Sequence, residues 1–196
     1  MHQLIRLTSL AVLVVLVSHP TVFAASPRDS AEPVSYATFR QKPKLILVLV
    51  IDQFRSDYLT RFEKRFLPAK DKTGDVGGFR FLMETGSYFA NAQFDILQCM
   101  TGPGHAMILS GSYPYTMGIS LNEWFDPKLK RDIYCVEDEK SPLVGPANPG
   151  DMGMSPIKFE GTTVGDELKN AGYNSKVVSI AIKDRASILL GGPIQS

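Results

Sequence analysis

Thr101 heads the stretch Thr101-Gly102-Pro103-Gly104-His105-Ala106, a glycine- and proline-rich turn that runs directly into the apolar Met107-Ile108-Leu109. A hydroxyl held where a strand gives way to a helix can attack phosphorus. The helix start turns free backbone N–H groups and the positive end of its dipole towards a bound anion, and the two glycines let the backbone come close. The plainer reading is that Thr101 only caps the helix that follows. The turn alone leaves both open.

Four further residues could complete an anion site. Asp52 ends the run Lys44-Leu45-Ile46-Leu47-Val48-Leu49-Val50-Ile51-Asp52, whose continuous apolarity predicts a strand buried on both faces. Such strands belong to parallel sheets covered by helices, where ligands sit beyond the carboxyl ends of the strands. Asp52 occupies that place, and it can also cap a helix over 54–66. Asn122, in Ile119-Ser120-Leu121-Asn122-Glu123-Trp124, offers an amide donor after the cluster Gly111-Ser112-Tyr113-Pro114. Lys183 and Arg185 follow the apolar run 176–182. If that strand continues, residues two apart share a face, so both cations meet one anion while Asp184 turns away. Arginine brings paired planar donors to phosphate oxygens and lysine a compact charge. Taken alone, Lys-x-Arg at a strand end is solvated surface charge; its place at the edge of the sheet argues for binding.

The elements that must position these groups follow a βαβα rhythm, which predicts a layered α/β domain. A helix is expected over 78–84, stopping at Gly86, then an alternating strand over 88–94 and a helix opening at Thr101. Residues 163–171 read as a helix closed by Gly172, and 176–182 as a buried strand. The segment 126–156, rich in proline, glycine and charge, reads either as an excursion over the active face or as an ordinary surface loop.

The chain has 196 residues, with 21 basic against 20 acidic side chains. Its first 24 residues read as an export signal: Arg6 supplies the positive end, Leu10 to Val17 the apolar core and Val22-Phe23-Ala24 the cleavage site. The expected divisions are a signal over 1–24, a linker over 25–43 and a domain over 44–196. His19 and Pro20 end the apolar run short of the about 18 residues of a membrane span, so a soluble periplasmic or secreted product without a membrane anchor is expected. Loss of the signal removes Arg6 and leaves 20 basic against 20 acidic residues, a balance that suggests no nucleic-acid or acidic-membrane partner. Cys99 and Cys135 form a disulfide in an oxidising compartment, or Cys99 is simply buried; spacing does not choose.

Several segments, taken in order, resemble one family. These are Val50-Ile51-Asp52-Gln53, the Thr101 hexapeptide, Ser110-Gly111-Ser112-Tyr113-Pro114 with Gly118-Ile119, Asn122-Glu123-Trp124-Phe125-Asp126, Tyr134-Cys135-Val136-Glu137-Asp138 and Ile182-Lys183-Asp184-Arg185-Ala186-Ser187-Ile188-Leu189. Over roughly 44–192 the chain resembles the bacterial phosphate-irrepressible alkaline phosphatases, within the alkaline phosphatase and nucleotide pyrophosphatase/phosphodiesterase superfamily. The resemblance implies a three-layer α/β sandwich with a mostly parallel central sheet and a zinc-dependent phosphomonoesterase acting on small phosphate esters. It implies that Thr101 is the nucleophile of a phospho-threonine intermediate, that Asp52 and Thr101 ligate one of two zinc ions, and that Asn122, Lys183 and Arg185 hold the phosphoryl oxygens. A metal fits this chemistry, because a threonine hydroxyl is a poor nucleophile until its pKa is lowered. A phosphodiesterase or nucleotide pyrophosphatase with the same nucleophile, and a non-catalytic phosphate-ester binder, are the alternatives.

With His2 and His19 in the signal, His105 is the single histidine left. The family's remaining zinc ligands, aspartates and several histidines, lie beyond the arginine motif. The expectation is therefore the amino-terminal part of the α/β domain, incomplete at its carboxyl end and with a partial zinc shell. His105 is expected to brace its turn.

Overall fold

The structure, a computed structural model, describes residues 11–17, 43–146, 148 and 150–193. The Val22-Phe23-Ala24 cleavage site, nearly all of the 25–43 linker and the last three residues lie outside the described residues. Strand β1, Ala11–Val17, pairs antiparallel with β2, Leu45–Ile51, in the register Ala11↔Ile51 to Val17↔Leu45. So the strand expected to end at Asp52 forms. It is not buried on both faces, however: Leu45, Ile46, Leu47, Leu49 and Ile51 are all exposed to solvent. One neighbouring strand covers one edge, and apolar runs of this kind need helices on both faces to be covered.

Two short hairpins complete the β-structure. Lys70–Asp71 (β3) pairs with Gly74–Asp75 (β4), and Glu123–Asp126 (β5) pairs with Arg131–Tyr134 (β6), both antiparallel. Among the described residues the ladders are therefore antiparallel pairs, and a parallel central sheet is not assembled from them. The strand expected over 88–94 is absent. The run 176–182 extends without a ladder partner, leaving Val178, Ile180 and Ile182 almost fully exposed. Alternating or continuous apolarity makes a strand only when a neighbour accepts its N–H groups.

The helices follow the sequence more closely. Residues 54–66 form α1, Asp57–Arg61, and a separate 3-10 turn, Glu63–Arg65, with Ser56 rather than Asp52 at the N-cap. Ring packing breaks the longer helix. Phe54 and Phe66 both lie on Phe79, their centroids 5.2 Å from it, so the segment bends round α2, Gly78–Thr85. Helix α3 spans Thr101–Ser110, α4 spans Val164–Asn170 and α5 spans Asp184–Gly191. The core forms where α3 and α5 meet the β5–β6 hairpin, around Ala106, Met117, Ile119, Cys135, Val136 and Leu189. The segment 126–156 is not structureless, since Asp126 Oδ1 accepts the Lys128 and Leu129 N–H groups to close the hairpin turn. A bridge between Glu137 and Met154 ties back its far end.

Helix α4 starts with a complete capping box. Thr163 Oγ1 donates to Asp166 Oδ2 at 2.9 Å and accepts from the Asp166 N–H, while Asp166 Oδ2 accepts the Thr163 N–H at 2.7 Å. Both side chains are buried, and the end of α5 packs directly on them: a β-carbon at Gly192, where φ is +84°, would lie 2.2 Å from Asp166 Oδ2. Gly192→Ala therefore has neither the backbone conformation nor the space it needs, and a loss of about 2 kcal/mol or more is expected in urea unfolding. Unchanged stability would contradict this packing.

Candidate active site

The site starts at the carboxyl end of β2 and the amino ends of α3 and α5. At the start of α3 the N-cap is Met100, in extended conformation and with no side-chain cap. Thr101 is the first helical residue, so its hydroxyl does not cap the helix. It donates instead to Asp52 Oδ2 at 3.3 Å, and the Lys183 ammonium donates to Thr101 Oγ1 at 3.3 Å and to Asp52 Oδ2 at 2.5 Å. Three residues separated by 49 and 82 positions thus meet at one hydroxyl.

Asp52 is charged under ordinary conditions. Partial burial pushes its carboxyl up, but the hydrogen bond and charge of Lys183, with smaller help from the Thr101 hydroxyl, outweigh that and hold it below the usual carboxylate range. The pair is partly open to solvent, with Lys183 38% and Asp52 28% exposed. Screening limits its worth as a stabiliser, and its main effect is to orient.

Two contacts brace the Thr101 turn from below. Asn122 Oδ1 accepts the Gly102 N–H at 2.7 Å, and the Asn122 carbonyl accepts the Cys135 N–H, which ties the turn to the hairpin. The fit at Gly102 is tight, because a β-carbon would come within 3.1 Å of Asn122 Oδ1 and 3.2 Å of the Cys135 sulfur and would have to push both side chains back. Asn122 is thus engaged through its oxygen, and its nitrogen is the end that remains as a donor. Buried His105 sits 2.7 Å from the Thr101 carbonyl through Nδ1, which must carry the proton because a carbonyl only accepts. Burial holds its pKa below the ordinary histidine value, so the brace is neutral.

Lys183 and Arg185 do not share a strand face. Lys183 is the N-cap of α5 and Arg185 lies in its first turn, so helical rotation sends them apart: Lys183 goes to Asp52, whereas Arg185 Nη1 donates to the Tyr134 hydroxyl at 2.7 Å. Asp184 does not turn away either, since its Oδ1 accepts from that same hydroxyl at 2.6 Å. Tyr134 is the residue that sequence reasoning missed. Its signals are its place after buried Ile133, on the opposite face of β6, and its position at the head of the segment Tyr134-Cys135-Val136-Glu137-Asp138. Cys99 and Cys135 are both free thiols, so they do not form the disulfide; burial raises both, Cys135 to about 11.

A model of the type I phosphodiesterase / nucleotide pyrophosphatase family matches residues 46–182. The alkaline phosphatase PhoV of Synechococcus elongatus is 41% identical over 170 residues, covering 86% of this chain and 29% of that protein. The crystal structure of the alkaline phosphatase PafA superimposes with a TM-score of 0.64 at 37% identity, over 72% of this chain and 26% of that one. A PafA variant with one threonine changed to serine, and an asparagine, a lysine and an arginine changed to alanine, superimposes with the same TM-score at 34% identity, with the same coverage. The chain thus spans little more than a quarter of these relatives' lengths.

Lys183→Met removes the cation nearest Asp52 while leaving its burial. The Asp52 carboxyl is then expected to titrate at higher pH than in the unmodified protein, followed by carboxyl-carbon NMR. An unchanged titration would contradict the pairing.

Proposed function

The chain belongs to the type I phosphodiesterase / nucleotide pyrophosphatase family and carries part of an alkaline phosphatase-like α/β fold, and from that premise we propose that it supplies the nucleophile arm of a phosphomonoester hydrolase acting through phospho-threonine at Thr101. The observation that carries the reading is the Thr101 hydroxyl, free of any capping duty and held between a carboxylate and an ammonium group. The Thr101 oxygen would attack phosphorus and give up its proton, by way of solvent, to the alcohol oxygen whose bond to phosphorus breaks; a water oxygen would later attack the same phosphorus, the bond to Thr101 would break, and the water's proton would restore the hydroxyl. Asp52, with its depressed pKa, is a weak proton acceptor, so its part is to orient the hydroxyl. Phosphoryl transfer depends mainly on placement and charge. Lys183, Arg185 and the Asn122 amide nitrogen would offset charge on the non-bridging oxygens. Two cations suit a dianionic monoester better than a monoanionic diester. The four residue types altered in the PafA variant are also those of Thr101, Asn122, Lys183 and Arg185.

Zinc, two ions in the complete enzyme, is the metal that the resemblance implies, and Asp52 with the Thr101 hydroxyl are the donors this chain brings. Zinc sites use three or four protein ligands. Among the described residues no three His, Cys, Asp or Glu side chains cluster for a metal, and the Lys183 ammonium already lies on Asp52. The described donors do not make a shell by themselves.

The first test is an acid-quenched reaction with an aryl phosphate on protein carrying this chain. Phosphate is expected on Thr101, and Thr101→Ala is expected to lower hydrolysis roughly a thousandfold or more; undiminished hydrolysis sinks the reading. The matched family's description also favours a second reading, a diester or pyrophosphate substrate. Neutralising Lys183 and Arg185 separates the two, since monoester hydrolysis should fall about a hundredfold with diester hydrolysis nearly kept. Loss on both substrates alike favours the second.

Arg6, the apolar run Leu10 to Val17 and Val22-Phe23-Ala24 support export to the periplasm or beyond. Among the described residues no helix is long and apolar enough to cross a membrane. Amino-terminal sequencing of the exported protein is expected to begin at Ala25, and a chain still starting at Met1 would contradict export.

A further inference from the structure

Arg185 is held by an arrangement that the proposed reaction does not by itself explain. Its Nη1 donates to the Tyr134 hydroxyl at 2.7 Å, its guanidinium carbon lies 5.7 Å from the centre of the Tyr134 ring, and its Nε is buried without a hydrogen-bond partner. The Asp184 carboxylate is near by, with Oδ1 3.8 Å from Nη1, yet it makes no direct hydrogen bond to the guanidinium. That oxygen instead accepts the Arg185 backbone N–H and the Tyr134 hydroxyl proton, both at 2.6 Å. A hydroxyl has one proton to give and a carboxylate only accepts. The Tyr134 proton therefore goes to Asp184, and its lone pair faces Arg185.

We propose that Tyr134 is a positioning residue for Arg185: its hydroxyl stands between guanidinium and carboxylate, keeps the cation from closing onto Asp184, and so leaves the remaining Arg185 donors available to a phosphate group. The proposal rests on the reading of Arg185 as a phosphate ligand. A phenylalanine in the same place would remove both the acceptor that holds Nη1 and the donor that occupies Oδ1. The two free charges, already within 4 Å, would then pair directly, as arginine and carboxylate do wherever nothing intervenes. Burial, and then Asp184, raise the Tyr134 phenol to about 12. The hydroxyl thus keeps its proton, and with it this pattern of bonds, across the ordinary pH range.

Calorimetric titration of the full chain with inorganic phosphate tests this. Tyr134→Phe is expected to weaken phosphate binding about tenfold, the size of one lost charged hydrogen bond. Arg185→Ala should weaken it at least as much, and adding Tyr134→Phe to Arg185→Ala should cost nothing more. Adding Asp184→Asn to Tyr134→Phe should restore binding to within about threefold of the unmodified chain, because the competing carboxylate is gone. General loosening by Tyr134→Phe would persist in both double variants. The proposal is overturned if Tyr134→Phe binds phosphate normally, if its loss adds to that of Arg185→Ala, or if Asp184→Asn restores nothing. Normal binding by Arg185→Ala, or none by the unmodified chain, overturns the reading of Arg185 beneath it, an outcome distinct from the other three.

Discussion

The ion pair between Lys183 and Asp52 is the contact on which the site depends. It fastens the end of β2 to the start of α5 across 131 residues, and the Thr101 hydroxyl lies in hydrogen-bond reach of both partners. Without the ammonium, a half-buried carboxylate beside the hydroxyl would carry its desolvation cost unanswered. Without the carboxylate, the hydroxyl would lose the side chain to which it donates its hydrogen bond. Each partner therefore sets what the other can do to Thr101, and neither would have much effect alone.

Beneath this pair, α3 is an unusual helix: its first turn is the most buried part, with Gly102 to Ala106 all buried. Burial of a helix start leaves backbone N–H groups in need of partners. Asn122 serves Gly102, while His105 closes on the Thr101 carbonyl from inside the helix. The polar groups that look like functional ornaments in the sequence are in part the means by which a buried helix start is tolerated. The same economy governs α4, where Thr163 and Asp166 bond each other's side chains and backbone N–H groups inside the protein.

The sequence made Asp52 and Lys183 legible because each stands at the end of an apolar run, and such ends converge in layered folds; Thr101 was legible because it heads a glycine- and proline-rich turn that leads into one. Helices α2, α3 and α4 were legible from their periodicity and their flanking glycine or threonine. What failed depended on neighbours. The 88–94 and 176–182 runs have strand patterns but no adjoining ladder, and the 54–66 helix yields to the stacking of Phe54 and Phe66 on Phe79. The strand geometry assumed for Lys183 and Arg185 failed because a helix begins between them, and that one change of period redirects Arg185 to Tyr134. No spacing rule joins Arg185 to a tyrosine 51 residues earlier.

That separation has a kinetic side. The contacts among Thr101, Asp52 and Lys183 close loops of 49, 82 and 131 residues, whereas the bracing of the Thr101 turn by His105 spans four. Closing long loops costs chain entropy before any contact repays it, so local helices form ahead of such contacts. The turn that presents Thr101 is therefore built early, and the groups that orient its hydroxyl arrive late. While the chain is still folding, the threonine is an ordinary alcohol, without the carboxylate and ammonium that later hold its hydroxyl in place.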